Sequence, residues 1–168
     1  MIIDKEFQNY IDTAKVKCGE AMSLLGVYRF TLEDVYTGEK TVQYYTNIIP
    51  TVGRTLIANN LTDPTPDNTM LINYAALGSS TTTPVNADTQ LTTETYRNAI
   101  ASRTNASNVA YATAFFSQVE CSGTYREAGI FTNATGAANS GVLLSHVSIN
   151  VTKTTSQKLT IDWALTIS

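Results

Sequence analysis

The closing segment of the chain constrains its fold more than any other. Leu159, Ile161, Trp163, Leu165 and Ile167 alternate without a break with Thr160, Asp162, Ala164, Thr166 and Ser168. A period of two sends each set to one face of a β-strand, and only a packed sheet buries such an apolar row. The same rhythm recurs upstream. Tyr28, Phe30 and Leu32 alternate with Arg29, Thr31 and Glu33; Thr37-Gly38-Glu39 supplies a turn; Val42, Tyr44 and Thr46 alternate on the return. This predicts a hairpin. A further strand is expected over 70–78, with Ile72, Tyr74 and Ala76 on one face and Leu71, Ala75 and Leu77 on the other. Val109, Tyr111, Thr113, Phe115 and Val119 share a face, and Val147, Ile149 and Val151 alternate with Ser148, Asn150 and Thr152. About seven short strands with turns between them predict a mainly β protein, an antiparallel β-sandwich over residues 26–168.

Two segments follow a helical period instead. Over residues 3–25, Ile3, Phe7, Tyr10, Ile11, Ala14, Cys18, Ala21, Met22 and Leu25 recur at spacings of three and four, and Gly26 marks the stop. This N-terminal amphipathic helix (1–25) has two readings. It packs on its own domain, or it is an arm that docks on another subunit through Ile3, Phe7, Tyr10, Ile11, Ala14, Cys18, Met22 and Leu25. A short internal helix is expected after Pro50, with Thr51 as N-cap and Val52, Leu56, Ile57, Ala58 and Leu61 as its apolar residues. It ends before the turn-rich segment 62–68.

Composition narrows the function. Threonine is 27 of the 168 residues and charged residues only 15%, against about 25% in an ordinary soluble domain. β-branched hydroxyl residues suit the solvent face of strands, and a surface poor in ions associates without desolvating many charges. An oligomer is therefore expected. A net charge of −3 with no basic run gives no footprint for nucleic acid. No secretion signal or membrane-length apolar stretch is read, so the protein is expected to be made in the cytosol and not to enter a membrane. Cys18 and Cys121 lack the spacing of a disulfide framework or zinc site. The sequons at Asn60, Asn105, Asn133 and Asn150 are expected by chance in a chain this rich in asparagine and threonine.

Reactive groups in recognisable patterns are few. His146 is the single histidine and sits in a predicted strand, where a half-buried polar role is commoner than catalysis. No nucleophile elbow, phosphate loop or zinc-protease pattern occurs. A carboxylate pair for glycoside cleavage would have to come from Asp88, Glu94, Glu120, Glu127 and Asp162. Structural ion pairs among Glu94, Arg97, Arg103, Arg126 and Glu127 at a subunit contact account for several of the same residues. Asp63, Asp67 and Asn68 could bind calcium, but a proline-rich turn explains them better. No cofactor or metal is expected. Tyr44, Tyr45, Tyr74, Tyr96, Tyr111 and Tyr125 could stack on a sugar, which keeps a host receptor- or glycan-binding module as the alternative function.

Several short motifs recur in a suggestive order: Thr37-Gly38-Glu39, Gly53-Arg54, Ala76-Leu77-Gly78, Leu91 with Glu94 and Arg97, Glu127-Ala128-Gly129-Ile130-Phe131, and the tryptophan-centred strand Leu159 to Ile167. In this order they resemble small virion proteins of tailed bacteriophages, of the tail-fibre or minor structural type. The resemblance covers nearly all of the chain except the N-terminal helix. It implies a non-enzymatic structural component of a virion (tail, fibre, baseplate, collar or capsid-surface decoration) that self-assembles and docks on other virion proteins.

Overall fold

The computed structural model describes residues 4–16 and 24–168, leaving aside the side chains of residues 14–16. After α1 (Lys5–Val16) come β1 (Leu24–Asp34), β2 (Lys40–Thr46), α2 (Thr51–Thr62), β3 (Ile72–Gly78), β4 (Glu94–Ala106), β5 (Val109–Phe116), β6 (Gly123–Thr132), β7 (Val142–Lys153) and β8 (Gln157–Ile167). The β1–β2 hairpin forms as its alternation predicts. Its turn is fixed by the Asp34 carboxylate, which accepts the N–H groups of Tyr36 and Thr37 at 2.9 and 3.0 Å, and by Gly38 at φ +73°.

The strands form one antiparallel sheet in the order β2-β1-β8-β5-β4-β3-β6-β7. An antiparallel bridge between Ile48 and His146 brings its two ends together, so the sheet is nearly closed into a barrel. The expected two-layer sandwich is corrected on this point. The cause is β4, whose residues 94–99 pair with β3 and whose residues 100–106 pair with β5, with a register shift after Ile100. One long strand thus turns the corner and joins what would otherwise be two sheets. Tyr28, Phe30, Leu77, Phe116, Ile130 and Trp163 are among the fully buried side chains that fill the interior.

Two helix boundaries also differ from expectation. The helix read over 3–25 is described over Lys5–Val16, and Leu24 and Leu25 lie in β1, opposite Ile167 and Thr166 of β8. Helical spacing at these leucines yields to a ladder that gives their backbone groups partners and lets Leu24 pack on the core. At α2 the N-cap is Pro50, not Thr51; the Thr51 N–H instead bonds the carbonyl of Asn86 at 2.8 Å. Among the described residues no helix is long and apolar enough to cross a membrane, which says nothing of strands.

Candidate functional site

Three of the motifs, Ala76-Leu77-Gly78, Leu91 with Glu94 and Arg97, and Glu127 to Phe131, converge on one wall of the barrel, the outer face of β3, β6 and β7. Gly78 ends β3 where a Cβ would stand 2.5 Å from Oε1 of Glu127 and 2.6 Å from the carbonyl of Thr93. Only glycine leaves room for the carboxylate to reach the loop 79–93. There Glu127 accepts the N–H groups of Thr93 (2.7 Å) and Thr92 (2.9 Å), and its Oε2 lies 3.0 Å from Nε2 of His146. The second ring nitrogen, Nδ1, lies 2.8 Å from Asp88, whose carboxylate also accepts the N–H of Val85 at 2.8 Å. His146 and Glu127 are fully buried. The two ring nitrogens of His146 thus bridge two carboxylates. Burial disfavours the ionised form of Glu127, but the hydrogen bonds from His146, Thr93 and Thr92 outweigh it and hold the carboxyl below its ordinary value.

A second buried pair fastens the loop 133–141. Arg97 forks onto Glu94, with Nε at 2.5 Å and Nη2 at 2.7 Å from the two carboxylate oxygens. Its Nη1 donates to the carbonyl of Thr135 (2.9 Å) and the hydroxyl of Ser140 (2.8 Å), and the guanidinium lies 4.8 Å over the Phe131 ring. Glu94 also accepts the N–H of Asn139 at 2.9 Å. Beneath the loops Ala76, Leu91, Phe131, Ala134 and Leu143 form a small apolar cluster. Arg126 and Glu127, both candidates for structural ion pairs, take different partners within the chain. Neighbours on a strand point to opposite faces, so Glu127 turns to His146 while Arg126 donates to the Asn150 side chain.

The remaining carboxylates considered for sugar cleavage are bound elsewhere. Glu120 accepts the N–H and hydroxyl of Ser117 at 2.7 and 2.8 Å, and Asp162 holds Arg29 (2.8 Å) and Thr113 (2.7 Å). Of the six tyrosines considered as stacking platforms, Tyr111 and Tyr125 are buried and the other four half-buried. Arg103 donates to the carbonyl of Ile72 at 2.6 Å. The Asp88–His146–Glu127 constellation was not readable beforehand: its members lie 58 and 19 residues apart, and no local pattern joins them.

The face of α1 lies on the opposite side of the barrel. Phe7 and Ile11 are fully buried against Val27, Val109, Tyr111 and Ala164, on the outer face of β1, β5 and β8. Tyr10 is half-buried and stacks on Tyr44 at 4.8 Å. Leu25 packs here too, but from β1. The part of the face that is described is therefore spent on the chain's own sheet, because the outward apolar residues of three strands need a cover. Ile3, Cys18 and Met22 lie outside the described residues, as does the side chain of Ala14. Asp4 caps the helix by accepting the Phe7 N–H at 2.9 Å and pairs with Arg29, which also holds Asp162.

Comparison with protein-family models, with curated proteins and with solved structures finds no match for this chain.

Proposed function

We propose that this protein is a non-enzymatic structural component of a tailed-phage virion, working by self-assembly and by docking on neighbouring virion proteins. The observation that carries the reading is how the motif residues behind the resemblance are used. Gly53 lets α2 approach the β7 carbonyls, Gly78 makes room for Glu127, and Glu127 and Arg97 clasp two loops to the wall. Each is engaged in fixing backbone position, the work a building block requires. The low charge and abundant threonine of the surface favour lasting contacts with like surfaces.

The reading is tested on the particle. Antibodies raised against the recombinant chain should decorate purified virions at regular positions, and mass spectrometry should find the chain there in fixed ratio to the major capsid protein. Its absence from purified particles, with the chain left free in the lysate, would overturn the reading.

A further inference from the structure

Both ends of the strand order are edges, and the chain treats them differently. The edge of β7 is occupied. α2 lies against it, so close that a Cβ on Gly53 would stand 2.9 Å from the Leu144 carbonyl oxygen. His146 exchanges backbone hydrogen bonds with Ile48 at 3.0 and 3.1 Å, and the Tyr45 hydroxyl accepts the N–H of Asn150 at 3.1 Å.

No such cover lies on the first part of β2 among the described residues. The bonded pairs Asp34–Glu39 and Gly26–Asn47 fix the phase of its ladder with β1. In that phase the backbone groups of Lys40, Val42 and Tyr44 face away from β1. The usual protections of an edge are missing here. The ladder runs without a bulge, 40–44 holds no proline, and the one charge is Lys40 at the strand's end. Thr41, on the barrel-facing side, is exposed, so the barrel stands open beside this stretch. Val42 is 40% exposed, and its cross-strand row runs through Thr31 and Thr160 to the exposed Phe115 without a charge.

Such an edge is complementary to itself. We propose that a second copy of this chain docks here, its β2 antiparallel to the first about a two-fold axis at Val42, so that two barrels share a continuous sheet. The inference rests on the structural role proposed above and names the surface that exercises it. The pairing sets Val42 against its counterpart and Lys40 against Tyr44 of the second copy. The two lysines stand at opposite ends, so no like charges meet, and each ammonium faces an aromatic ring on the same outer face.

The test uses the full chain. Val42→Pro removes an N–H that points away from β1, leaving the hairpin's own ladder intact, whereas Val42→Thr keeps both strand and donor. In sedimentation at high micromolar concentration the unsubstituted chain and Val42→Thr are expected as an even-numbered oligomer, and Val42→Pro at half its mass with unchanged circular dichroism. Thr41→Cys chains mixed with Gln43→Cys chains should also form disulfide-linked pairs under oxidation, the unsubstituted chain serving as blank for its own two cysteines. A monomeric unsubstituted chain, an oligomer that survives Val42→Pro, or mixed chains that fail to link would overturn the proposal. An oligomer indifferent to Val42→Pro leaves the virion role standing, while edge-dependent assembly of a chain absent from particles overturns that role alone.

Discussion

The barrel is covered on two sides, and the two covers are built by different means. Over β1, β5 and β8 lies a helix that buries Phe7 and Ile11 on an apolar outer face and is pinned at its start by Asp4 and Arg29. Over β3, β6 and β7 lie two loops with few apolar residues of their own, held by His146 between two carboxylates and by Arg97 forked onto Glu94. A helix satisfies its own backbone and needs only an apolar stripe to dock. A loop does not, so buried acceptors and donors must be supplied to it. The difference predicts where single substitutions do most damage.

The largest effect is expected in the loop-covered wall. Glu127→Ala leaves the buried His146 ring without one partner and the N–H groups of Thr92 and Thr93 without acceptors. Each buried partner left unsatisfied costs about 1–3 kcal/mol, and together they take a large part of the roughly 5–15 kcal/mol that stabilises a typical domain. Urea denaturation should show it as a lower midpoint for the whole barrel, and Glu127→Gln should recover part of the loss by restoring an acceptor. A loss below about 1 kcal/mol would mean that the apolar cluster under the loops carries this wall, and the contrast between the two covers would disappear.

On the helical side Phe7→Ala removes a buried ring and its contact beneath the Arg29 guanidinium, 4.8 Å from the ring centre. Phe→Ala in a rigid core costs about 3–5 kcal/mol, but here the loss is capped by the docking free energy of α1, so about 2–3 kcal/mol is expected. Amide exchange separates the two cases. The amides of α1 should lose protection in Phe7→Ala while those of β3, β6 and β7 keep theirs. Equal loss across all strands would make the helix an integral part of the cooperative core.

The same contrast explains what was legible in the sequence. The hairpin, β5, β7 and β8 announce themselves because large apolar side chains alternate with polar or small ones along them, even where, as in β8, both faces are buried, and α1 because its stripe has the helical period. β6 is buried on both faces from Glu127 to Thr132, inside by the core and outside by the loops, so its alternation vanishes. β4 fails for the opposite reason. Eight of its thirteen residues are exposed, and it carries too few apolar side chains to show a period. Glu94 and Arg97 were legible as ion-pair candidates by their charges, and a register shift beside them accompanies their pairing on one strand, whereas the partners of Glu127 depend on a loop crossing three strands, which no local pattern encodes. The end of the helix was misplaced because Leu24 and Leu25 fit its stripe, and only the position of β8 decides against it.

The smallest effect concerns charge at the helix start and depends on pH. Asp4 accepts the Phe7 N–H, which lowers its pKa; slight burial works the other way, and the nearby Arg29 cation lowers it further. A carboxyl depressed in the folded state contributes above its unfolded pKa and loses that contribution as pH falls through the folded value. With an ordinary value of 3.8, protection of the α1 amides should hold steady near neutrality and decline below about pH 4. Asp4→Asn keeps a capping oxygen but no charge, so its acid decline should be shallower. Asp4→Ala loses the cap as well and should cost about 1 kcal/mol at neutral pH. Glu127 is depressed in the same direction, so wild-type strands also weaken in acid, but there the whole barrel responds. If α1 and the strands lost protection together in Asp4→Asn as the acid was titrated in, the helix would not be a separately docked cover, and the two sides of the barrel would be one cooperative unit.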